Sequence, residues 1–128
     1  MSKVKIVLEY QFWCTPSSIY RAVSTEGGLC SWFADKVNVA GDVFTFFWNK
    51  QSQTAVAVKQ KTNHYIRFKW DFHEDYYFEF KIVKQELTGD VSLIVTDYAD
   101  ADDYVGTVEL WNLQVRKLKN AIGCAKKL

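Results

Sequence analysis

The sequence predicts an α+β fold in which a curved antiparallel sheet of about seven strands wraps around one long C-terminal helix. Aromatic residues alternate with polar ones through residues 44–80, which is the period of half-buried strands. From about Asp102 onward, the apolar residues recur at three- and four-residue steps, which indicates an amphipathic helix. Only the aromatic face of the sheet offers enough apolar surface to cover that helix, so we expect the two to pack together.

The composition indicates one globular domain, 1–128, with an unusually high aromatic content of 16%. The net charge is +1 and the lysines are interleaved with acids, so we expect no nucleic-acid partner. No apolar run is long enough to span a membrane. The residues after Met1 form an alternating strand rather than an apolar leader, so we expect no secretory signal.

The three cysteines are Cys14, Cys30 and Cys124, an odd number without paired spacing. This count argues against a disulfide framework and for a reducing compartment, so we expect a cytoplasmic protein. Cys14 and Cys30 are interpreted as small packing residues. No cysteine–histidine cluster has zinc-site spacing and no cofactor motif is present, so we expect neither a metal nor a cofactor.

The first part of the chain is predicted as one strand followed by two short helices. Residues 4–13 alternate as a strand. Thr15 before Pro16 combines an N-cap side chain with a proline suited to the first helical turn, so a helix should begin there and end near Ser24. Residues 25–33 continue as a second short helix, because Leu29, Trp32 and Phe33 follow at helical spacing.

The rest of the chain is predicted as an antiparallel meander and a closing helix, because short polar turns separate its strands. The strands cover residues 35–39, 43–49, 54–61, 64–72, 76–83 and 91–98. Residues 97–103 are interpreted as a solvated acidic linker that also caps the closing helix. The stripe of that helix consists of Tyr104, Val108, Trp111, Val115, Leu118 and Ile122, with Gly123 as its C-terminal cap.

Four segments follow one another in an order that matches a known family. Residues 15–20 place a small residue and proline before apolar positions, and residues 24–33 run from a threonine to a tryptophan. Residues 41–46 form a glycine-led aromatic strand, and residues 111–119 place a tryptophan before a leucine–lysine pair. Together they resemble the START-like (SRPBCC) superfamily with its helix-grip fold. The closest likeness is to the group around the C-terminal domain of the activator of Hsp90 ATPase, the AHSA1-like proteins.

The amino-acid sequence of residues 32–35 and 41–48 also resembles that of small START-like domain proteins of Bacteroidetes. The superfamily includes lipid carriers, hormone receptors, cyclases and co-chaperone domains. The resemblance therefore implies a fold but does not by itself imply one function.

The helix-grip fold implies that a ligand would lie between the long helix and the sheet. The residues expected to line such a cavity are Phe44, Phe46, Trp48, Phe68, Trp70, Phe78, Phe80, Trp111 and Val115, with Trp32 and Phe33 near its mouth. Two interpretations stay open: the rings enclose a pocket, or they pack on each other as a solid core. The five tryptophans favour a pocket, because a buried indole N–H needs a partner that a ligand could supply.

These observations lead to two main hypotheses. The first is a non-enzymatic domain that binds a small hydrophobic molecule, such as a lipid or an aromatic metabolite, in that cavity. The alternative is a protein-interaction module without a cavity, with a chaperone partner or self-association, as the AHSA1-like resemblance implies. An enzyme ranks last, because His64 and His73 lie far apart and neither has a recognisable carboxylate partner.

The pair Gly27 and Gly28 is interpreted as a tight joint between the two short helices. In helix-grip folds these helices often form a lid over the cavity. The glycine pair therefore suggests that the lid can move.

Overall fold

The computed structural model describes residues 3–72 and 75–124 of the chain. Its elements are β1 (Val4–Phe12), α1 (Pro16–Ser24), α2 (Glu26–Cys30), β2 (Lys36–Ala40), β3 (Val43–Trp48), β4 (Gln51–Lys61), β5 (Tyr65–Trp70), β6 (Tyr77–Lys84), β7 (Val91–Ala99) and α3 (Tyr104–Ala121), with a short 3-10 turn at Ala101–Asp103. The predicted fold class and order of elements are confirmed. Two boundaries differ most from the prediction: α2 ends at Cys30, so Trp32 and Phe33 lie in the turn that follows it, and β4 begins at Gln51, three residues before the predicted start.

The seven strands form one antiparallel sheet in the order β1-β7-β6-β5-β4-β3-β2. Alternation places one row of each strand on an inner face, which holds the buried rings of Phe46, Phe68 and Phe80. Helix α3 covers this face with Trp111 and Val115, which belong to the same buried cluster. The opposite, outer face of the sheet carries the polar row of each strand.

The predicted helix signals are confirmed by local contacts. The Thr15 hydroxyl oxygen accepts a 3.3 Å hydrogen bond from the Ser18 amide, and Pro16 is the first residue of α1. The tight joint between α1 and α2 depends on Gly28, because a Cβ there would lie 2.3 Å from the carbonyl oxygen of Arg21. Gly123 follows α3 with a φ of +71°, the left-handed conformation of a C-terminal cap.

The expectation that the cysteines are unpaired is wrong. Cys14 and Cys124 form a disulfide with their Cα atoms 5.5 Å apart, whereas Cys30 is free and exposed. The two partners are separated by 110 positions in the sequence and meet because the end of α3 packs beside the end of β1, where Lys119 lies over the rings of Phe12 and Trp13. Because two of the three cysteines form a disulfide, the cysteine count no longer supports a reducing compartment.

The interpretation of residues 97–103 as a solvated linker and cap is also corrected. Asp97 lies within β7, and its Oδ2 accepts a 2.8 Å hydrogen bond from the indole Nε1 of Trp111. Burial raises the pKa of Asp97 above its usual range, against the opposing effect of the indole hydrogen bond. Asp103 precedes α3 but makes no side-chain capping hydrogen bond.

Candidate functional site

The structure brings the predicted site residues together in one hydrophobic cluster between the sheet and α3. The nine buried members are Trp32, Phe33, Phe44, Phe46, Phe68, Phe78, Phe80, Trp111 and Val115, and the half-buried Trp48 and Trp70 pack against them. Their rings contact each other closely, as shown by the Phe68 and Phe78 centroids, which are 4.8 Å apart. That these residues line a ligand remains a prediction.

Phe33 occupies the centre of this cluster. Its ring centroid lies 5.0 Å from that of Phe46, 5.5 Å from that of Phe78 and 6.1 Å from that of Trp111. It therefore touches rings of the sheet and of α3 at once, although it belongs to neither element. The turn after α2 places this ring in the space where the sheet and α3 face each other.

Hydrogen bonds hold that turn in place. The Phe33 amide donates to the carbonyl oxygen of Leu29 at 2.8 Å, and the indole Nε1 of Trp48 donates to the carbonyl oxygen of Phe33 at 2.7 Å. The indole of the neighbouring Trp32 donates to the carbonyl oxygen of Ala22 on α1 at 2.8 Å. Three indoles, including that of Trp111, thus find acceptors within the chain, so their N–H groups do not require a ligand.

A groove of about 360 Å³ opens beside Phe33. The turn 30–35 forms one wall, Trp48 of β3 contributes an aromatic edge, and Gln114 and Lys117 of α3 form the opposite wall. Gln114 and Lys117 form a polar rim, and the surface that the groove exposes is mainly polar, because Trp32 and Phe33 are buried and the aromatic cluster lies behind them. A mainly apolar ligand would therefore reach the cluster only if the Phe33 ring moved aside.

The polar rim contains one acceptor that stands out. The side-chain oxygen Oε1 of Gln114 is buried and has no hydrogen-bond partner among the described residues. A buried acceptor left in this state costs about 1–3 kcal/mol. By contrast, the Asp35 carboxylate already accepts a 2.8 Å hydrogen bond from the Asn49 amide. Gln114 is therefore the rim group best suited to receive a donor from a ligand.

Sequence reasoning missed Gln114 and Lys117 as site residues. Both stand at the edge of the apolar stripe of α3, where a polar side chain is usually solvated. Nothing in the local pattern distinguishes them from the other polar residues of the helix. Only the approach of the turn 30–35 brings them to the groove.

Two other grooves lie away from the aromatic cluster. One of about 450 Å³ lies between α1, α2 and Ile122, and one of about 540 Å³ lies beside Pro16, Asn63 and His64. His64 is exposed there, and the residues that line its groove include no carboxylate that could orient it. His73 lies outside the described residues.

Two features are absent from the described part of the chain, residues 3–72 and 75–124. No group of three histidine, cysteine or acidic residues there could hold a metal ion. None of the helices in that part is both long and apolar enough to cross a membrane.

Comparison with known proteins identifies the family. The profile of the START-like superfamily domain matches residues 1–124. The solution structure of BfR322 from Bacteroides fragilis is similar to the chain with 38% sequence identity and a TM-score of 0.69, over 99% of this chain and 96% of that one. None of the curated proteins compared with the chain matches it.

More distant structures share the fold. The Aha1 dimer from Colwellia psychrerythraea has a TM-score of 0.78 at 18% identity, over 93% of this chain and 96% of that one. The AHSA1-like protein from Aeromonas hydrophila has a TM-score of 0.76 at 12% identity, over 94% of this chain and 92% of that one. The matched profile and the seven-stranded sheet closed by α3 lead to one conclusion. This chain belongs to the START-like superfamily.

Proposed function

We propose that this protein is a non-enzymatic binding domain that takes a small hydrophobic molecule in the groove over Phe33. The apolar part of the ligand replaces the Phe33 ring within the aromatic cluster, between the sheet and α3. The position of Phe33 is the observation that carries this proposal. The turn after α2 places its ring at the centre of the cluster and beside an open groove. Such a ring can leave without breaking any strand or helix.

The energetics of this exchange limit the ligand. Moving the turn breaks hydrogen bonds, among them the one from Trp48 to the Phe33 carbonyl oxygen, and each costs about 0.5–1.5 kcal/mol. It also exposes one phenyl ring, at about 25 cal/mol per Å² of apolar surface. A ligand gains affinity only if it buries more apolar surface than that ring. We therefore expect a molecule of at least two fused rings, or a lipid chain of comparable area.

Gln114 supplies a second element of selectivity. Because its Oε1 is a buried acceptor without a partner in the described structure, it favours a ligand that carries an O–H or N–H group. The hydrogen bond removes the cost of the unpaired acceptor, about 1–3 kcal/mol. A hydroxylated ligand should accordingly bind roughly five- to 140-fold more tightly than the hydrocarbon of the same shape.

The first experiment measures binding of 2-naphthol and naphthalene by calorimetry. We expect Phe33→Ala to bind 2-naphthol about tenfold or more tightly than the unmodified protein, because the ring no longer competes for the site. Phe12→Ala is the matched control, since Phe12 is equally buried on β1 and does not line the groove. Equal affinities in the two variants would contradict the proposed site.

Two further variants keep the test informative. Phe33→Ala removes a buried ring and costs about 3–5 kcal/mol, so Phe33→Leu serves as a milder version if the alanine variant does not fold. Gln114→Leu should abolish the preference for 2-naphthol over naphthalene while retaining binding of naphthalene. If the preference survives in Gln114→Leu, Gln114 does not orient the ligand.

Native mass spectrometry of the purified protein identifies the natural ligand class. A lipid or an aromatic metabolite that co-purifies near one equivalent, and is lost in a variant with a blocked groove such as Ala34→Trp, supports the proposal. A protein that carries nothing and binds neither naphthyl compound would instead favour the alternative, a protein-interaction module without a ligand cavity.

A further inference from the structure

The outer face of the sheet is strongly basic, although the chain as a whole is nearly neutral. The strand registers place seven cationic side chains on this face, namely Lys5, Lys36, Lys59, Lys61, Arg67, Lys69 and Lys81. Against them the described strands place two acids there, Glu9 and Glu79. This is an excess of five positive charges, compared with +1 for the whole sequence.

Several of these cations lie close together without an evident structural benefit. Lys59 and Arg67 stand directly opposite each other on β4 and β5, an arrangement that destabilises a sheet. Arg67 is partly neutralised by Glu79, since its Nε lies 2.9 Å from the Glu79 Oε1. Lys59, Lys61, Lys69 and Lys81 remain around that ion pair. A negatively charged partner would relieve this repulsion.

Aromatic rings hold part of this charge in place. The Arg67 guanidinium lies 4.0 Å from the centroid of the Tyr77 ring, and the Lys59 ammonium lies 5.5 Å from that of Tyr65. Such cation–π contacts restrict the long side chains, so less conformational entropy is lost when a partner binds. The cations on β4 and β5 are therefore partly ordered before any association.

The same contacts distinguish between two kinds of anionic partner. Binding of single-stranded nucleic acid uses aromatic rings that are free to stack on bases. Here the Arg67 guanidinium lies over one face of the Tyr77 ring and the Lys59 ammonium lies over the Tyr65 ring, so these rings are less available for stacking. In addition, the exposed Val7 and Val43 lie on this face, at 57% and 41% exposure, and offer apolar contacts at its margins. A polypeptide with acidic and apolar side chains matches this surface better than a polynucleotide does.

We propose that the outer face of the sheet is a docking surface for an acidic polypeptide segment of another protein. The cations of β4, β5 and β6 pair with its carboxylates, and the valines contact its apolar side chains. The surface lies on the side of the sheet opposite to α3 and the groove over Phe33. The proposal is therefore independent of small-molecule binding.

The test measures binding of fluorescently labelled poly-L-glutamate by anisotropy at low ionic strength. We expect binding that weakens as salt is added, because the charges are exposed and are screened. Lys59→Glu/Lys81→Glu should lower the affinity by about tenfold or more. Arg21→Glu/Arg116→Glu is the matched control, with the same change of net charge on exposed residues of α1 and α3, and should stay within about twofold.

Three outcomes would overturn the proposal. The first is no binding of poly-L-glutamate at low salt. The second is an equal loss in both double variants, which would indicate an effect of net charge alone. The third is tighter binding of poly-uridylate than of poly-L-glutamate through the same lysines, which would identify a nucleic-acid surface. Phe33→Ala should leave the affinity for poly-L-glutamate unchanged. A failure of the docking proposal is therefore distinguishable from a failure of the proposal that a small molecule binds in the groove over Phe33.

Discussion

The indole Nε1 of Trp48 donates a 2.7 Å hydrogen bond to the carbonyl oxygen of Phe33. This bond ties the last residue of β3 to the turn that carries the central ring of the aromatic cluster. Trp48 also packs against that ring, with centroids 5.5 Å apart. Trp48 thus contacts both the backbone and the side chain of Phe33, and the turn that carries Phe33 would have to move for a ligand to enter.

Removing only that hydrogen bond should loosen the turn. In Trp48→Phe an aromatic ring remains but the donor is lost, so we expect a loss of about 0.5–1.5 kcal/mol in the free energy of unfolding. Because Phe33 then leaves the cluster more easily, the affinity for 2-naphthol should rise. Trp70→Phe is the control, since Trp70 contacts the cluster but does not bond to the Phe33 carbonyl oxygen. Denaturant unfolding and calorimetry measure the two quantities, and similar behaviour of both variants would refute the role given to Trp48.

The joint between α1 and α2 should tolerate a side chain at Gly27 but not at Gly28. A Cβ on Gly28 would lie 2.3 Å from the Arg21 carbonyl oxygen and 2.7 Å from the Ala22 Cα, so the backbone must shift. We expect Gly28→Ala to lower stability by about 1–3 kcal/mol. Gly27→Ala meets nothing within 4 Å and should be neutral or raise stability by up to about 1 kcal/mol. Thermal unfolding of both variants checks the difference, and an equal effect at the two positions would argue against a tight joint.

The half-buried Asp97 should make stability depend on pH in a defined direction. Burial raises the pKa of this carboxyl in the folded state above the ordinary value of 3.8, so the folded protein binds the proton more tightly than the unfolded chain does. Its contribution to stability therefore declines as pH rises from 3.8 through the raised pKa, and is constant above it. Asp97→Asn keeps an acceptor for the Trp111 indole and removes the buried charge. We expect Asp97→Asn to be more stable than the unmodified protein at neutral pH, and this advantage to vanish below pH 3.8.

Unfolding curves of Asp97→Asn across the acid range measure this effect. Asp102→Asn is the control, because it makes the same change of charge at an exposed residue. A constant difference between Asp97→Asn and the unmodified protein at every pH would contradict a raised pKa at Asp97.

The disulfide should contribute substantially to stability. It closes a loop of 110 residues, and loss of such a cross-link costs about 4–5 kcal/mol by the loop-entropy argument. Cys14→Ser and reduction of the unmodified protein should therefore lower the free energy of unfolding by similar amounts. Cys30→Ser should have little effect, since Cys30 is free and exposed. Labelling of the native protein should detect one reactive thiol. Three reactive thiols before reduction would show that Cys14 and Cys124 are unpaired.

Local patterns were sufficient to predict the fold and the members of the aromatic cluster. The alternation of Phe44, Phe46 and Trp48 identifies a strand and its buried face from three residues alone. The Thr15–Pro16 pair and Gly123 identify helix ends because capping depends on neighbouring residues. All eleven predicted cavity residues fall in one cluster, because each lies on the apolar side of its own element or beside it.

The contacts within the site could not be predicted in the same way. That Phe33 enters the cluster depends on α2 ending at Cys30, two residues earlier than the helical spacing of Trp32 suggests. That Gln114 is buried depends on how closely the turn 30–35 approaches α3. The acidic neighbours of Asp97 dominate the local composition and indicate a linker, whereas its indole partner stands 14 residues away.

Periodicity over a few residues is enough to predict the order of strands and helices, the face that each buries and the closing helix that covers the sheet. The tertiary structure was needed to show that Phe33 is the ring at the centre of the aromatic cluster, that Cys14 joins Cys124, and that the cations of five separate strands share one face. Each of these depends on the register and packing of elements far apart in the chain. A near-neutral sequence can therefore fold into a protein with a strongly basic face.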